Sequence, residues 1–160
     1  EQYVPFTRLK IGTGKTQGYR MGTPEQLAAL EARGDVIYRN ERYGNVYVVD
    51  RHGLEQVMAG GRTPVVHLGQ MVGMEQVSAL FPAQWVRVLL WCSKGTTARR
   101  SPQRGDTDTA ARLAAWDATR ADLARHSQAQ WELRVDTDMT APREAAQKID
   151  DIVRATSPRS

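Results

Sequence analysis

Leu54-Glu55-Gln56-Val57-Met58, the breakers Gly60-Gly61, the apolar run Thr63-Pro64-Val65-Val66-His67-Leu68, the helical stretch Met74 to Phe81 and a second apolar run, Trp85 to Trp91, decide the fold class by their order. Continuous apolar runs of strand length, separated by helical segments, are what a parallel sheet covered on both faces requires, because each strand is then buried on both sides. A helix from about Thr107 to His126, a strand Trp131 to Val135 and a last helix from Pro142 to about Ala155 continue the alternation. The expected architecture is α/β, a three-layer parallel sheet with helices on both faces. The tail Thr156 to Ser160 is expected to fray.

Upstream of this stretch the pattern is different. A β-rich opening, Tyr3 to Leu9, leads into the glycine-rich segment Gly12 to Gly18. Thr23 is a natural N-cap, Pro24 suits the first helical position and Gln26 completes a capping box, so a helix is predicted from Pro24 to Arg33, ended by Gly34. Asp35 to Tyr38 and Val46 to Val49 are β-prone runs joined by the polar turn Arg39 to Asn45, which predicts an antiparallel pair. Residues from about 5 to 50 therefore form a small β-rich subdomain within one domain spanning 1–160.

Composition agrees with one domain. The chain has 160 residues, 41% hydrophobic and 25% charged, enough apolar material to bury a core and to exclude general disorder. Cys92 is the one cysteine, so no intramolecular disulfide or Cys-x-x-Cys metal site can form, and the reducing cytoplasm is the expected compartment. No stretch approaches the roughly 18 apolar residues needed to cross a bilayer, and no membrane partner is expected. The chain opens on Glu1 rather than Met, from which a longer natural chain is expected. A net charge of +4 with pI about 9.5 favours an anionic ligand, phosphate first, or is an ordinary solvated basic surface.

Several residues carry candidate chemistry. Gly14-Lys15-Thr16 ends like a phosphate-binding loop, but that motif needs a glycine five positions before Gly14, where Leu9 stands. Arg8, Lys10, Lys15 and Tyr19 surround the glycine-rich segment, either as a grip on a terminal phosphate or as surface cations on a mobile loop. Arg99, Arg100, Arg104 and Arg112 precede and enter the long helix, either as a closing lid over phosphoryl oxygens or as a solvated run. His52, His67 and His126 have no metal-ligand spacing. His67 lies in an apolar run, as a core or pocket residue would. Trp85, Trp91, Trp116 and Trp131 are dispersed as core residues are, without the aromatic and basic interleaving that nucleic acid binding needs, so a nucleic acid partner is not expected.

Taken in order, these pieces resemble the guanylate kinase family over nearly the whole chain. Phe6-Thr7-Arg8 is similar to its Thr-Thr-Arg, Gly18-Tyr19-Arg20-Met21 to its Gly-x-x-Tyr-x-Phe, and Tyr43-Gly44-Asn45-Val46-Tyr47 to its Gly-Asn-x-Tyr-Gly turn. Gly60-Gly61-Arg62-Thr63, the following strand and Gly73 to Val77 resemble its strand and helix start. Arg100, Arg104, Gly105-Asp106-Thr107-Asp108 and Arg112-Leu113 resemble its lid, at about 97–112, and Asp136-Thr137-Asp138 its Asn-Asp-Asp. The resemblance implies phosphoryl transfer from ATP, with Mg2+, to a nucleoside monophosphate or related phosphorylated small molecule. It implies Arg8, Lys10, Tyr19 and Tyr47 on the acceptor phosphate, His67 near the acceptor, and Arg100, Arg104 and Arg112 as catalytic lid cations.

The family's phosphate loop precedes its Thr-Thr-Arg region, and this chain begins too close to Phe6 to contain it. Activity is therefore expected only if an upstream segment supplies that loop. His67 and Gly69 stand where the family presents an acid, and Val48-Val49 where it has Gly-Thr, so standard guanine is not the expected base. The alternative is a catalytically inactive guanylate-kinase-like module that binds a phosphate-bearing ligand or a protein partner.

Overall fold

A computed structural model of the chain describes residues 2–42, 44–105 and 108–156. Glu1, Tyr43, Asp106, Thr107 and residues 157–160 lie outside the described residues; of the tail expected to fray, Thr156 to Ser160, Thr156 is described and ends the last helix. The chain forms two compact units, Glu1–Pro82 and Ala83–Ser160.

The first unit contains β1 (Tyr3–Pro5), β2 (Leu9–Ile11), β3 (Arg20–Gly22), α1 (Pro24–Ala32), β4 (Val36–Arg42), β5 (Asn45–Asp50), α2 (Arg51–Ala59), β6 (Thr63–Val65) and α3 (Met71–Leu80). Its larger sheet has the order β3-β2-β5-β4, with β2 parallel to β3 and antiparallel to β5, and with β4 and β5 forming the predicted antiparallel pair. Alternation along the strands sorts the side chains. Leu9 and Ile11 pair with Val48 and Val46 and turn toward Leu27 and Leu30 of α1, making a small core in which Val48 is fully buried. Lys10 and Tyr47, paired with each other, take the opposite face.

α1 starts where its capping signature predicts. The Gln26 N–H donates to Thr23 Oγ1 at 3.2 Å and the Thr23 N–H to Gln26 Oε1 at 3.0 Å, so two donors at the helix start are satisfied reciprocally. Gly34 follows at φ 70°, in the left-handed region that ends helices.

The predicted opening strand is two strands with a break at Phe6-Thr7-Arg8. β1 pairs with β6 in parallel, Tyr3 to Thr63 and Pro5 to Val65, and Phe6 N–H donates to Val65 O at 2.9 Å before the chain turns away. That departure shortens the predicted strand Thr63–Leu68 to Thr63–Val65, because a strand lasts only as long as it has a partner. His67 therefore sits in the loop after β6, exposed, and not in a core.

The second unit contains β7 (Val88–Trp91), α4 (Lys94–Gln103), α5 (Thr109–Arg125), β8 (Leu133–Asp136) and α6 (Pro142–Thr156). β7 and β8 are parallel, Val88 opposite Leu133 and Trp91 opposite Asp136. Trp91 and Trp116 stack with ring centroids 4.9 Å apart, and Trp116 Nε1 donates to Cys92 O at 2.9 Å. Arg99 and Arg100 belong to a helix of their own, α4, ahead of the long helix they were expected to precede; the Ser93 side chain caps α4 by accepting from Thr96 N–H. None of the described helices is long and apolar enough to cross a membrane.

Arg87 and Glu132 tie the starts of β7 and β8 through a two-pronged ion pair, with Arg87 N–H also donating to Glu132 at 2.6 Å. The Arg87 side chain holds the Glu132 carboxyl below its usual range, against a smaller opposing effect of partial burial. A carboxyl depressed on folding contributes stability above its unfolded value, about 4.3, and loses it as pH falls through the folded value. Glu132→Gln should therefore lower the urea midpoint near about pH 6 and approach wild type near about pH 3, measured as urea melts across that range.

Candidate functional site

The break between β1 and β2 and the alternation of β2 place Arg8 and Lys10 on the face of the sheet opposite the Leu9 and Ile11 core. Lys10 is 2% exposed, the one deeply buried cation among the described residues. Its ammonium donates to Lys15 O at 2.8 Å and lies over two phenol rings, 5.4 Å from the Tyr19 centroid and 5.8 Å from that of Tyr47. Among the described residues no carboxylate pairs with it. Ring faces and one carbonyl stabilise a cation but do not neutralise it. Arg8 adds a second positive charge, its guanidinium 5.5 Å from the Tyr47 centroid and in a long hydrogen bond of 3.3 Å to Asn40 Oδ1.

The glycine-rich segment closes this cluster on one side. Gly12 has φ 137° and lies against Asn45, whose Oδ1 accepts Thr13 N–H at 2.7 Å; Tyr19 N–H donates to Thr16 O at 3.1 Å at the other end. The loop so pinned brings Lys15, Gln17 and Gly18 to a cavity of about 260 Å³, shared with Phe6, Arg8, Tyr19 and His67. Tyr19 and Tyr47 meet with ring centroids 5.3 Å apart, tilted. Of the sequence-named acceptor residues, Arg8, Tyr19 and His67 line the cavity, while Lys10 and Tyr47 lie behind it through their contacts with Tyr19 and Arg8. Val48 and Val49 are both fully buried and present nothing to a ligand.

Two supports went unread in the sequence. Arg20 reaches Thr7 O with its Nε at 2.9 Å and pairs with Asp50 through both terminal nitrogens, and Asp50 in turn caps α2 by accepting Gly53 N–H at 2.9 Å. Arg20 falls on an unspecified position of the quoted Gly18-Tyr19-Arg20-Met21, Asp50 belongs to no quoted motif, and their separation of 30 positions hides the pairing.

In the second unit, Arg100 donates from Nη2 to Thr137 O at 2.7 Å and from Nη1 to Thr137 Oγ1 at 3.3 Å, which fixes it beside the Asp136-Thr137-Asp138 turn. Asp138 accepts Ser93 N–H at 2.9 Å at the start of α4, and hydrogen bonds, that from Thr96 first, hold its carboxyl below the usual range. Arg104 caps the end of α4 and Arg112 lies in the first turn of α5. The turn therefore holds the Arg100 side chain, and α4 fixes the backbone of Arg104.

The sequence profile of the chloramphenicol phosphotransferase-like protein family matches residues 9–154. The chain belongs to this family. The match takes in β2, the glycine-rich loop, Tyr19 and Tyr47, and Arg100, Arg104 and Arg112. No curated protein matches the chain. Among solved structures, the crystal structure of guanylate kinase from Anaplasma phagocytophilum is similar, with a TM-score of 0.65 and 19% identity over 99% of this chain and 78% of that one. The fold is thus P-loop kinase-like, mixed α/β with parallel strands, as the sequence resemblance implied. Family and fold together place the chain among kinase-like phosphotransferases.

Proposed function

We propose that this family member transfers a phosphoryl group from ATP to a small molecule that already carries a phosphate, a nucleoside monophosphate or a relative of one, with a base other than standard guanine. The observation that carries the reading is Lys10, a buried ammonium with no carboxylate partner among the described residues, beside Arg8 and two phenols. A phosphate dianion supplies the missing countercharge and accepts from Arg8, Lys15 and Tyr19 along the cavity wall. A neutral alcohol such as chloramphenicol, the acceptor in the family's description, would leave that charge uncompensated. With Val48 and Val49 buried, His67 and Gln17 are the polar groups left to read the rest of the acceptor.

In this reading Arg100, Arg104 and Arg112 stabilise charge on the transferred group. Magnesium keeps most of its waters and leans on substrate phosphates, so it needs no dedicated protein cage. Among the described residues no group of three acidic, histidine or cysteine side chains is placed to hold a metal, and we assign the ion to none of them.

The test compares acceptors in the full natural chain supplied with ATP and Mg2+: nucleoside monophosphates against chloramphenicol, with inorganic phosphate as competitor. Turnover of a monophosphate, inhibited by phosphate, is expected; turnover of chloramphenicol alone would overturn the reading, and monophosphate binding without turnover would favour the inactive module. With an active acceptor, Arg8→Ala should raise the acceptor KM by about tenfold or more with little change in kcat. Arg104→Ala should lower kcat by about a hundredfold with KM nearly unchanged. Steady-state kinetics of both variants check the assignment.

A further inference from the structure

We propose that Arg20 and Asp50 form a positioning pair that sets the spacing between Arg8 and Tyr19, two of the groups that line the cavity. This rests on the reading of that cavity as an acceptor-phosphate site. Arg20 holds the turn Phe6-Thr7-Arg8 twice. Its backbone N–H donates to Arg8 O at 3.0 Å and its side-chain Nε to Thr7 O at 2.9 Å, while its guanidinium lies 5.5 Å from the Phe6 ring centroid. It is also the residue after Tyr19, so one side chain links the approaches to both cavity groups.

Asp50 makes that link rigid. Its side chain is 4% exposed and accepts from both terminal nitrogens of Arg20 and from Gly53 N–H, which anchors the arginine to the start of α2. Gly53 leaves the room this requires: a Cβ there would lie 2.8 Å from Arg20 Nη2, 2.9 Å from Asp50 Oδ1 and 3.1 Å from Phe6 Cε2. A planar fork can reach the Thr7 carbonyl and both carboxylate oxygens at once; a lysine ammonium, a single point, cannot. The need for an external brace is visible at Arg8, whose guanidinium is held by one long hydrogen bond of 3.3 Å and by the Tyr47 ring, 5.5 Å away. A group so loosely held finds its ligand only if the backbone beneath it is fixed.

The experiment titrates the intact wild-type protein, Arg20→Lys, Asp50→Asn and the double variant with inorganic phosphate by calorimetry, recording the Tm of each. Asparagine still caps α2, so Asp50→Asn removes the charge and leaves the helix start satisfied. Arg87→Gln, which breaks an ion pair in the second unit, is the stability control. Each single variant should weaken phosphate binding about tenfold, the double no more than the worse single, because the two residues act as one device. Arg87→Gln should lower Tm and leave the affinity alone.

A lowered Tm with unchanged affinity in Arg20→Lys and Asp50→Asn would overturn the positioning role, and so would additive losses in the double variant. If the wild type binds neither phosphate nor a nucleoside monophosphate, the acceptor-site reading falls by itself. Ligand-free NMR then decides the pair: the Tyr19 ring and Arg8 Nε–H resonances should shift in Arg20→Lys, and unshifted resonances would overturn the inference.

Discussion

Replacing Lys10 by methionine should weaken binding of phosphate-bearing ligands by about a hundredfold while leaving the fold as stable as wild type or more so. The two halves of this result come from the same burial. Methionine keeps the length and the apolar stem of lysine but carries no charge, so the side chain still fills the space between Tyr19 and Tyr47. A buried ammonium held by one carbonyl and two rings has lost most of its hydration, a cost of several kcal/mol that its neighbours offset only in part. Removing the charge removes that cost, and the freed Lys15 carbonyl lies on an exposed loop where water can replace the donor. A bound phosphate, by contrast, loses the attraction of a desolvated cation behind the cavity; at an effective dielectric of about 20, unit charges about 6 Å apart attract by roughly 2.8 kcal/mol, or about a hundredfold in affinity. Calorimetric titration and a thermal melt on one preparation check both halves. Affinity within about threefold of wild type would remove Lys10 from the site, and a lowered Tm would show that its charge is compensated in the ligand-free protein.

Gly12→Ala should destabilise the first unit by about 3 kcal/mol and loosen the cavity loop. Gly12 has φ 137°, where side chains are strained, and an added Cβ would overlap Asn45 Oδ1 outright and lie 2.7 Å from its Cγ. Relief requires Asn45 to move, which breaks its hydrogen bond from Thr13 N–H. Backbone strain of about 1–3 kcal/mol and a lost hydrogen bond of about 1 kcal/mol together set the estimate. Gly14→Ala is the comparison: φ is 82°, but the atom nearest its Cβ would be Lys10 Nζ at 4.0 Å, so strain acts without a clash. It should cost about 1 kcal/mol. Urea melts of the two variants separate the effects; equal losses would show that the Asn45 contact contributes nothing. Because the loop carries Lys15 and Gln17, phosphate affinity should fall with stability in Gly12→Ala.

Much of the fold was legible in the sequence because its causes are local. The capping box at Thr23 and Gln26 predicted the start of α1, Gly34 its end, and two β-prone runs joined by a polar turn the pairing of β4 with β5. The order of helices and apolar runs after Asp50 predicted the parallel strands, and the resemblance built on it agrees with the P-loop kinase-like fold of the solved guanylate kinase. Strand ends were less legible. The apolar run continues to Leu68, yet β6 stops at Val65 because β1 turns away there, and a run of apolar residues carries no record of how long its partner stays.

The site divides along the same line. The sequence by itself determined which residues carry charge and phenol groups near the glycine-rich loop; the structure showed that β2 runs to Ile11 and so puts Arg8 and Lys10 on the face opposite Leu9 and Ile11. Only the tertiary structure decided that Lys10 is buried while Lys15 remains exposed, since burial is set by Tyr47 on a neighbouring strand and by a loop folded back over the ammonium. Likewise only the fold brings Arg20 to Asp50 across 30 positions. Chemistry is written residue by residue, but the environment that gives a charge its function is assembled from segments distant in the chain.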